Sequence, residues 1–198
     1  MKIASIEALV RGLHDAGVPF IVVGGLAVVA HGYGRQTQVL DLVIRLDPDS
    51  IRAAFSALAT LGYRPRVPVT ADAFADPQQR GRITDKGMRV LITRKLSVAS
   101  NSEKLTGIVK DASLQTNRAC SNFHSDRHRE TPVDVFVSEP FDFGAEYASA
   151  KIEQLAPGAL VRVLRLETLL RLKQEAGRPQ DLADIAELKL IHRKDHDV

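Results

Sequence analysis

Residues 22–44, VVGGLAVVAHGYGRQTQVLDLVI, contain the pattern on which the fold depends. Two adjacent glycines, Gly24 and Gly25, follow an apolar run over residues 19–23 and open an alanine-rich segment. The apolar run predicts a short buried strand, and the alanine-rich segment predicts a helix. Residues 39–46 alternate between two faces and predict a second strand. The stretch therefore predicts the order strand, glycine turn, helix, strand.

The regions on either side extend this pattern into an α/β (α+β) chain. An apolar stripe predicts a helix over residues 3–15, and Asp47-Pro48-Asp49-Ser50 is typical of a helix start. Residues 131–137, TPVDVFV, predict a further strand. Gly177 ends one C-terminal helix and Pro179 begins the next. We expect a mixed β-sheet with helices packed on it and a C-terminal helical pair.

The domain prediction is one unit over residues 1–198 with a C-terminal helical extension over residues 165–195. Residues 88–93, MRVLIT, are a strand candidate. Residues 95–131 are rich in Ser, Thr and Asn, and their apolar residues are isolated. This composition predicts a poorly ordered, flexible insertion within the domain.

Two acidic residues stand out because each interrupts an apolar strand. Asp41 lies in VLDLVI and Asp134 in PVDVFV, where a carboxylate is costly unless it is exposed or liganded. Gly24 and Gly25 lack side chains, so backbone N–H groups can approach a phosphate there. The alternative interpretations are a plain strand-to-helix turn for the glycines and a solvent-facing position for each aspartate.

Composition sets limits on these interpretations. The 198 residues carry a formal charge of only +3, with an isoelectric point near 9.1 and no dense basic stripe. This small positive charge is compatible with a phosphate-rich partner but does not by itself indicate one. The single cysteine, Cys120, excludes an intramolecular disulfide. The sequence shows no signal peptide and no apolar run that could span a bilayer, so we expect a soluble, cytoplasmic protein without a membrane partner.

The strand–Gly-Gly–helix–strand stretch resembles the nucleotidyltransferases of the DNA polymerase β superfamily. In particular, it resembles the AbiEii-like and minimal nucleotidyltransferases found in toxin–antitoxin loci. The C-terminal segment KQEAGRPQDLADI also resembles the tail of such proteins. The resemblance implies a mixed-sheet nucleotidyltransferase fold and a site that binds an NTP with two Mg²⁺ ions. The second strand of such proteins carries Asp-x-Asp, and a neighbouring strand supplies a third carboxylate.

Carried over to this sequence, the resemblance assigns Asp41 and Asp134 as catalytic, metal-binding carboxylates and Gly24 and Gly25 as phosphate-binding. The first Asp of the Asp-x-Asp pair is replaced by Val39, which cannot coordinate Mg²⁺. The two-ion site is therefore expected to be impaired. Asp47-x-Asp49 is another Asp-x-Asp, but Pro48 interrupts it and helix capping explains it better.

Two basic residues are candidates for contact with a triphosphate. Arg35 precedes the metal strand and Lys173 lies in the stretch that resembles the family tail; the alternatives are a surface arginine and an exposed helix lysine. A third group, Cys120, His124 and His128, is spaced by four residues, which on a helix would favour soft-metal ligation. The Ser/Asn-rich context argues against that hypothesis.

Two functional hypotheses follow from the sequence. The first is a Mg²⁺-dependent nucleotidyltransferase that moves an NMP group from an NTP to a hydroxyl of a protein, RNA or small-molecule acceptor. The second is a catalytically degenerate member that acts as a binding or regulatory component, with a cognate toxin or antitoxin as its partner. The two hypotheses differ in whether the site is active with Val39 in place of the first aspartate. The sequence does not decide this, so it leaves enzymatic activity open.

Overall fold

The computed structural model describes residues 1–66, 68–80 and 120–194, and a seven-stranded mixed sheet organises them. The strands are β1 Phe20–Val23, β2 Leu40–Ile44, β3 Tyr63–Pro65, β4 Cys120–Ser125, β5 Val133–Phe136, β6 Lys151–Ala156 and β7 Ala159–Val163. Their order across the sheet is β3-β4-β5-β2-β1-β7-β6. The pairs β2–β5 and β1–β7 are parallel, and the other four pairs are antiparallel.

Helices pack on this sheet and on one another. They are α1 Ile3–Asp15, α2 Gly24–Ala30, α3 Pro48–Thr60, α4 Ala71–Ala75, α5 Phe143–Ser149, α6 Leu166–Ala176 and α7 Pro179–Lys194. Helix α1 contacts α3, β6 and β7, helix α2 contacts β1 and β2, and α6 packs against α7 and α2. The predicted mixed sheet with packed helices and a C-terminal helical pair is confirmed. No helix in these ranges has the length and apolar character needed to cross a membrane.

The core lies around the central strands, as the apolar runs predict. All four residues of β1 are buried, and so are Leu40, Leu42, Val43 and Ile44 of β2. Each large apolar side chain of this kind contributes about 1.5–3 kcal/mol when fully buried. Within this run only Asp41 is polar, and it is partly exposed. The central strands therefore hold Asp41 in a fixed, largely apolar frame.

The predicted helix boundaries are set by local chemistry. Asp47 caps α3: its side chain accepts hydrogen bonds from the backbone N–H and the hydroxyl of Ser50, at 2.8 and 2.7 Å. Asp47-x-Asp49 is thus a helix start, as its proline indicates. Gly177 adopts the left-handed conformation after α6, with φ of 59°, and Pro179 begins α7.

The predicted insertion over residues 95–131 is wrong for its C-terminal part. Strand β4 lies within it and pairs with both β3 and β5, so these residues belong to the sheet. The inward positions of β4 are Ser121, Phe123 and Ser125, all buried, and two serines give almost no apolar signal. The strand candidate at residues 88–93 and the rest of the predicted insertion, up to residue 119, lie outside the described residues.

Candidate functional site

One row of residues crosses the sheet at the end of β1. In register, Val23 of β1 lies opposite Asp41 of β2, Asp41 opposite Asp134 of β5, and Asp134 opposite Asn122 of β4. Residues in register on neighbouring strands project from the same face, and neighbouring strands are about 4.8 Å apart. Asp41 and Asp134 are therefore adjacent on one face of the sheet, next to the glycine pair that follows Val23.

The row continues one strand beyond Asn122. The pairing of Pro65 with Phe123 places Arg66 opposite Asn122, and the backbone N–H of Arg66 donates to the carbonyl oxygen of Asn122 at 2.8 Å. The Arg66 side chain is exposed. The row thus reads cation, amide, carboxylate, carboxylate, glycine pair across the sheet.

Asp134 is held by its neighbour on β4. The side-chain amide of Asn122 donates a hydrogen bond from Nδ2 to Oδ1 of Asp134. Burial raises the pKa of the Asp134 carboxyl above its ordinary value, although the Asn122 hydrogen bond and the charge of Arg66 oppose this rise. Asp134 is therefore a desolvated carboxylate with a hydrogen-bond donor on one side and Asp41 on the other.

The glycine pair makes room for side chains of the protein itself. Gly24 has a φ of +63°, and a Cβ there would lie 2.1 Å from Oδ2 of Asp41. A Cβ on Gly25 would lie 2.6 Å from Oγ1 of Thr37 and 2.7 Å from Nη2 of Arg35. Because no side chain fits at either position, Asp41 and Arg35 can lie directly against the start of α2. Phosphate binding by Gly24 and Gly25 stays a prediction.

Arg35 connects the glycine pair to the C-terminal helices. Its Nη1 donates to both carboxylate oxygens of Asp184, at 3.2 Å each. Asp184 also accepts from Lys173, and Lys173 donates to Asp181, which accepts from Arg178. We call these five residues, Arg35, Lys173, Arg178, Asp181 and Asp184, the junction cluster. It carries three positive charges against two negative charges.

The charges at the centre of the junction cluster are buried. Lys173 is 2% exposed and Asp184 is fully buried, so the alternative of an exposed helix lysine is wrong. Burial alone would raise the pKa of Asp181, yet the hydrogen bonds from Arg178 and Lys173 hold that pKa below its ordinary value. Lys173 therefore neutralises two carboxylates between α6 and α7, and contact with a phosphate would require it to leave them.

Val39 lies two residues before Asp41 and is partly buried. It occupies the position where the Asp-x-Asp pattern has its first carboxylate, and its hydrocarbon side chain offers no ligand. In the described ranges, no group of three or more His, Cys, Asp or Glu residues could hold a metal ion. Asp41 and Asp134 remain as the carboxylates that the row brings together. Mg²⁺ is commonly bound by one or two carboxylates together with substrate phosphates and water, so the pair fits that ion.

The second metal hypothesis, on Cys120, His124 and His128, is wrong because its geometry required a helix. Cys120 and His124 lie in strand β4, where four residues span about 13 Å. His128 lies after that strand; its Nδ1 contacts Oγ of Ser5 at 2.9 Å and its ring stacks on Tyr63. The three residues therefore do not share one site.

The structure also brings two residues to the row that the sequence analysis missed, Asn122 and Arg66. Each belongs to a segment whose pairing is set by distant strands, and neither lies in a recognisable motif. The alternation of buried Ser121, Phe123 and Ser125 with Asn122 and exposed His124 is the local signal for strand β4. Because two of the three buried residues are serines, that signal is weak.

Comparison with known proteins finds similarities to solved structures only. No protein-family model matches the chain, and no curated protein matches it. The crystal structure of an antigenic nucleotidyltransferase-like protein from Paracoccidioides brasiliensis is similar, with a TM-score of 0.40 and 16% sequence identity. The similarity covers 93% of this chain and 73% of that chain.

The substitution Gly24→Ala should destabilise the protein more than Gly17→Ala. Both glycines have left-handed backbones, with φ of +63° and +66°, but a Cβ on Gly17 meets nothing within 4 Å. Gly17→Ala should therefore lower the free energy of unfolding by only about 1–2 kcal/mol, the cost of a left-handed backbone for alanine. Gly24→Ala should lower the free energy of unfolding by roughly a further 1–3 kcal/mol, because the added methyl group displaces Asp41. Urea unfolding of both variants measures the difference, and equal losses would contradict the packing of Asp41 on Gly24.

The substitution Lys173→Met should destabilise the protein severely. It leaves Asp181 and Asp184 without their shared buried partner, and breaking a buried ion pair in this way costs about 3–5 kcal/mol. The exposed Lys189 of α7 provides the matched control, since Lys189→Met should change the free energy of unfolding by less than about 0.5 kcal/mol. Chemical denaturation compares the two, and similar stabilities would show that the junction cluster does not hold the helices.

Proposed function

We propose that the protein is a nucleotidyltransferase that uses Mg²⁺ to transfer an NMP group from an NTP to a hydroxyl of an acceptor. The acceptor class is a protein, an RNA or a small molecule. One observation carries the proposal: Asp41 and Asp134 lie in register on neighbouring parallel strands, beside the glycine pair. Two carboxylates placed side by side on central strands suit a divalent cation.

The two carboxylates have the ligand chemistry that Mg²⁺ requires. Asp41 and Asp134 supply hard oxygen ligands from rigid central strands, so each side chain keeps its position without the loss of much conformational freedom. A bound Mg²⁺ would neutralise charge on the triphosphate and orient it for in-line attack. The burial that raises the pKa of Asp134 marks a carboxylate for which a cation is a favourable partner.

The side of the site at α2 is proposed to receive the phosphates. Gly24 and Gly25 have no side chains beside Asp41, so a phosphate could approach their backbone N–H groups, and Arg35 lies against Gly25. Arg35 keeps two hydrogen bonds to Asp184, which fix the direction of its planar guanidinium. Lys173 acts in this proposal through Asp184, whose charge it balances.

Val39 favours a second function, a catalytically degenerate protein that binds or regulates. Losing one carboxylate from a two-ion site removes charge neutralisation worth several kcal/mol, and each 1.36 kcal/mol is tenfold in rate. Such a protein would retain weak binding of nucleotide and act through a partner. By the resemblance to nucleotidyltransferases of toxin–antitoxin loci, that partner is proposed to be a cognate toxin or antitoxin.

The substitutions Asp41→Asn and Asp134→Asn test the proposed cation site. Each keeps the shape of the side chain and removes the charge, so Mg²⁺-dependent ATP binding should fall at least tenfold, and transfer of an α-³²P-labelled NMP group should be lost. Calorimetric titration with ATP, in Mg²⁺ and in EDTA, gives the binding. Asp49→Asn is the control, because Asp49 is exposed at the start of α3. Unchanged binding in both site variants would reject the proposal.

The substitution Val39→Asp separates the two functions. If the wild type is degenerate, restoring the carboxylate should raise NMP transfer by two orders of magnitude or more, because one metal ligand is regained. If the wild type is active, Val39→Asp should change the rate by less than about tenfold. The rate of label transfer from each of the four NTPs to a mixture of protein and RNA acceptors decides between these outcomes. Circular dichroism checks that the Val39→Asp variant has the same secondary structure as the wild type.

A further inference from the structure

We propose that Asn122 is the positioning residue that orients Asp134 for the cation, an inference that rests on the proposed function. Asn122 lies next to Asp134 in the row, on the side away from Asp41. Its Nδ2 donates to Oδ1 of Asp134. Asp134 is thus placed between a hydrogen-bond donor and the second carboxylate.

The hydrogen bond occupies one oxygen of Asp134 and leaves the other for the cation. Within the described ranges, Oδ2 of Asp134 accepts no hydrogen bond, while Oδ1 accepts the one from Asn122. A carboxylate that is anchored through one oxygen cannot rotate freely about its side-chain bond. Partners of this kind fix metal-binding carboxylates, and their loss costs about 10–100-fold in metal affinity.

Asn122 is itself held in place from both sides. Its carbonyl oxygen on the main chain accepts from the N–H of Arg66 at 2.8 Å, and the strand around it pairs with β3 and β5. The amide oxygen Oδ1 is buried and has no hydrogen-bond partner among the described residues. A buried, unpartnered amide oxygen is costly, whereas the amide nitrogen of the same side chain donates to Asp134. The donor group on the same amide is therefore the reason for an asparagine at this position.

The neighbouring charge also requires a donor here rather than an acid. Asp41 and Asp134 are like charges on adjacent strands, and a third carboxylate at position 122 would raise the repulsion around Asp134. An amide N–H, by contrast, stabilises the ionised form of Asp134 that a cation requires. Asn122 could in principle act as a positioning donor or stand at the place of a third metal ligand. A carboxylate at position 122 should weaken cation binding in the first case and strengthen it in the second.

The test compares wild-type protein with Asn122→Leu, Asn122→Asp and the control Ser121→Ala. Ser121 is the neighbouring residue on β4, buried on the opposite face, so its loss perturbs the same strand without touching the row. The probe is an ATP analogue with a methylene group between its α and β phosphates, titrated by calorimetry in Mg²⁺ and in EDTA. Thermal denaturation shows whether each variant is folded.

Both Asn122 variants should bind the analogue about 10–100-fold more weakly in Mg²⁺, with binding in EDTA unchanged and Ser121→Ala within twofold of wild type. A merely structural role would alter binding in both buffers. If Asn122→Leu binds as the wild type does, or Asn122→Asp binds more tightly, the positioning role is overturned while the proposed function stands. If wild-type binding is the same in Mg²⁺ and EDTA, the proposed function fails, and the positioning role fails with it.

Discussion

The parallel pairing of β2 with β5 is the constraint on which the rest of the site depends. It sets Asp41 opposite Asp134, and a shift of one residue in either strand would send one carboxylate to the other face of the sheet. The apolar residues around both aspartates make such a shift costly, because it would expose Leu40, Leu42 and Val133. The hydrophobic core thus holds two like charges side by side, an arrangement that a cation or a hydrogen-bond donor relieves.

The glycine pair and the junction cluster connect the C-terminal helices to the site. Gly24 gives Asp41 its room, and Gly25 gives room to Arg35, whose guanidinium reaches Asp184 on α7. Lys173 then joins α6 to α7 through two carboxylates. A helical pair that is far from β2 in sequence therefore determines how Arg35 lies beside the glycines. Stability of the helices and geometry of the site are coupled through these ion pairs.

The sequence predicted those features that depend on local patterns. Strands β1, β2 and β5, the cap at Asp47 and the break between α6 and α7 each follow from a short run of residues. Strand β4 was not predicted, because Ser121 and Ser125 occupy buried positions that apolar residues usually fill. Asn122 and Arg66 were missed because their place in the row depends on pairing between distant strands. The burial of Lys173 depends likewise on two aspartates of another helix.

Mn²⁺ binding tests the central claim most directly, because one cation shared by Asp41 and Asp134 predicts a strong coupling between them. Electron paramagnetic resonance of free Mn²⁺ measures the affinity of the wild type, Asp41→Asn, Asp134→Asn and the double variant, each with the methylene analogue of ATP present. A shared site predicts that either single change weakens binding almost as much as both together. Losses that simply add, or wild-type affinity in the double variant, would show that the two carboxylates do not hold one ion.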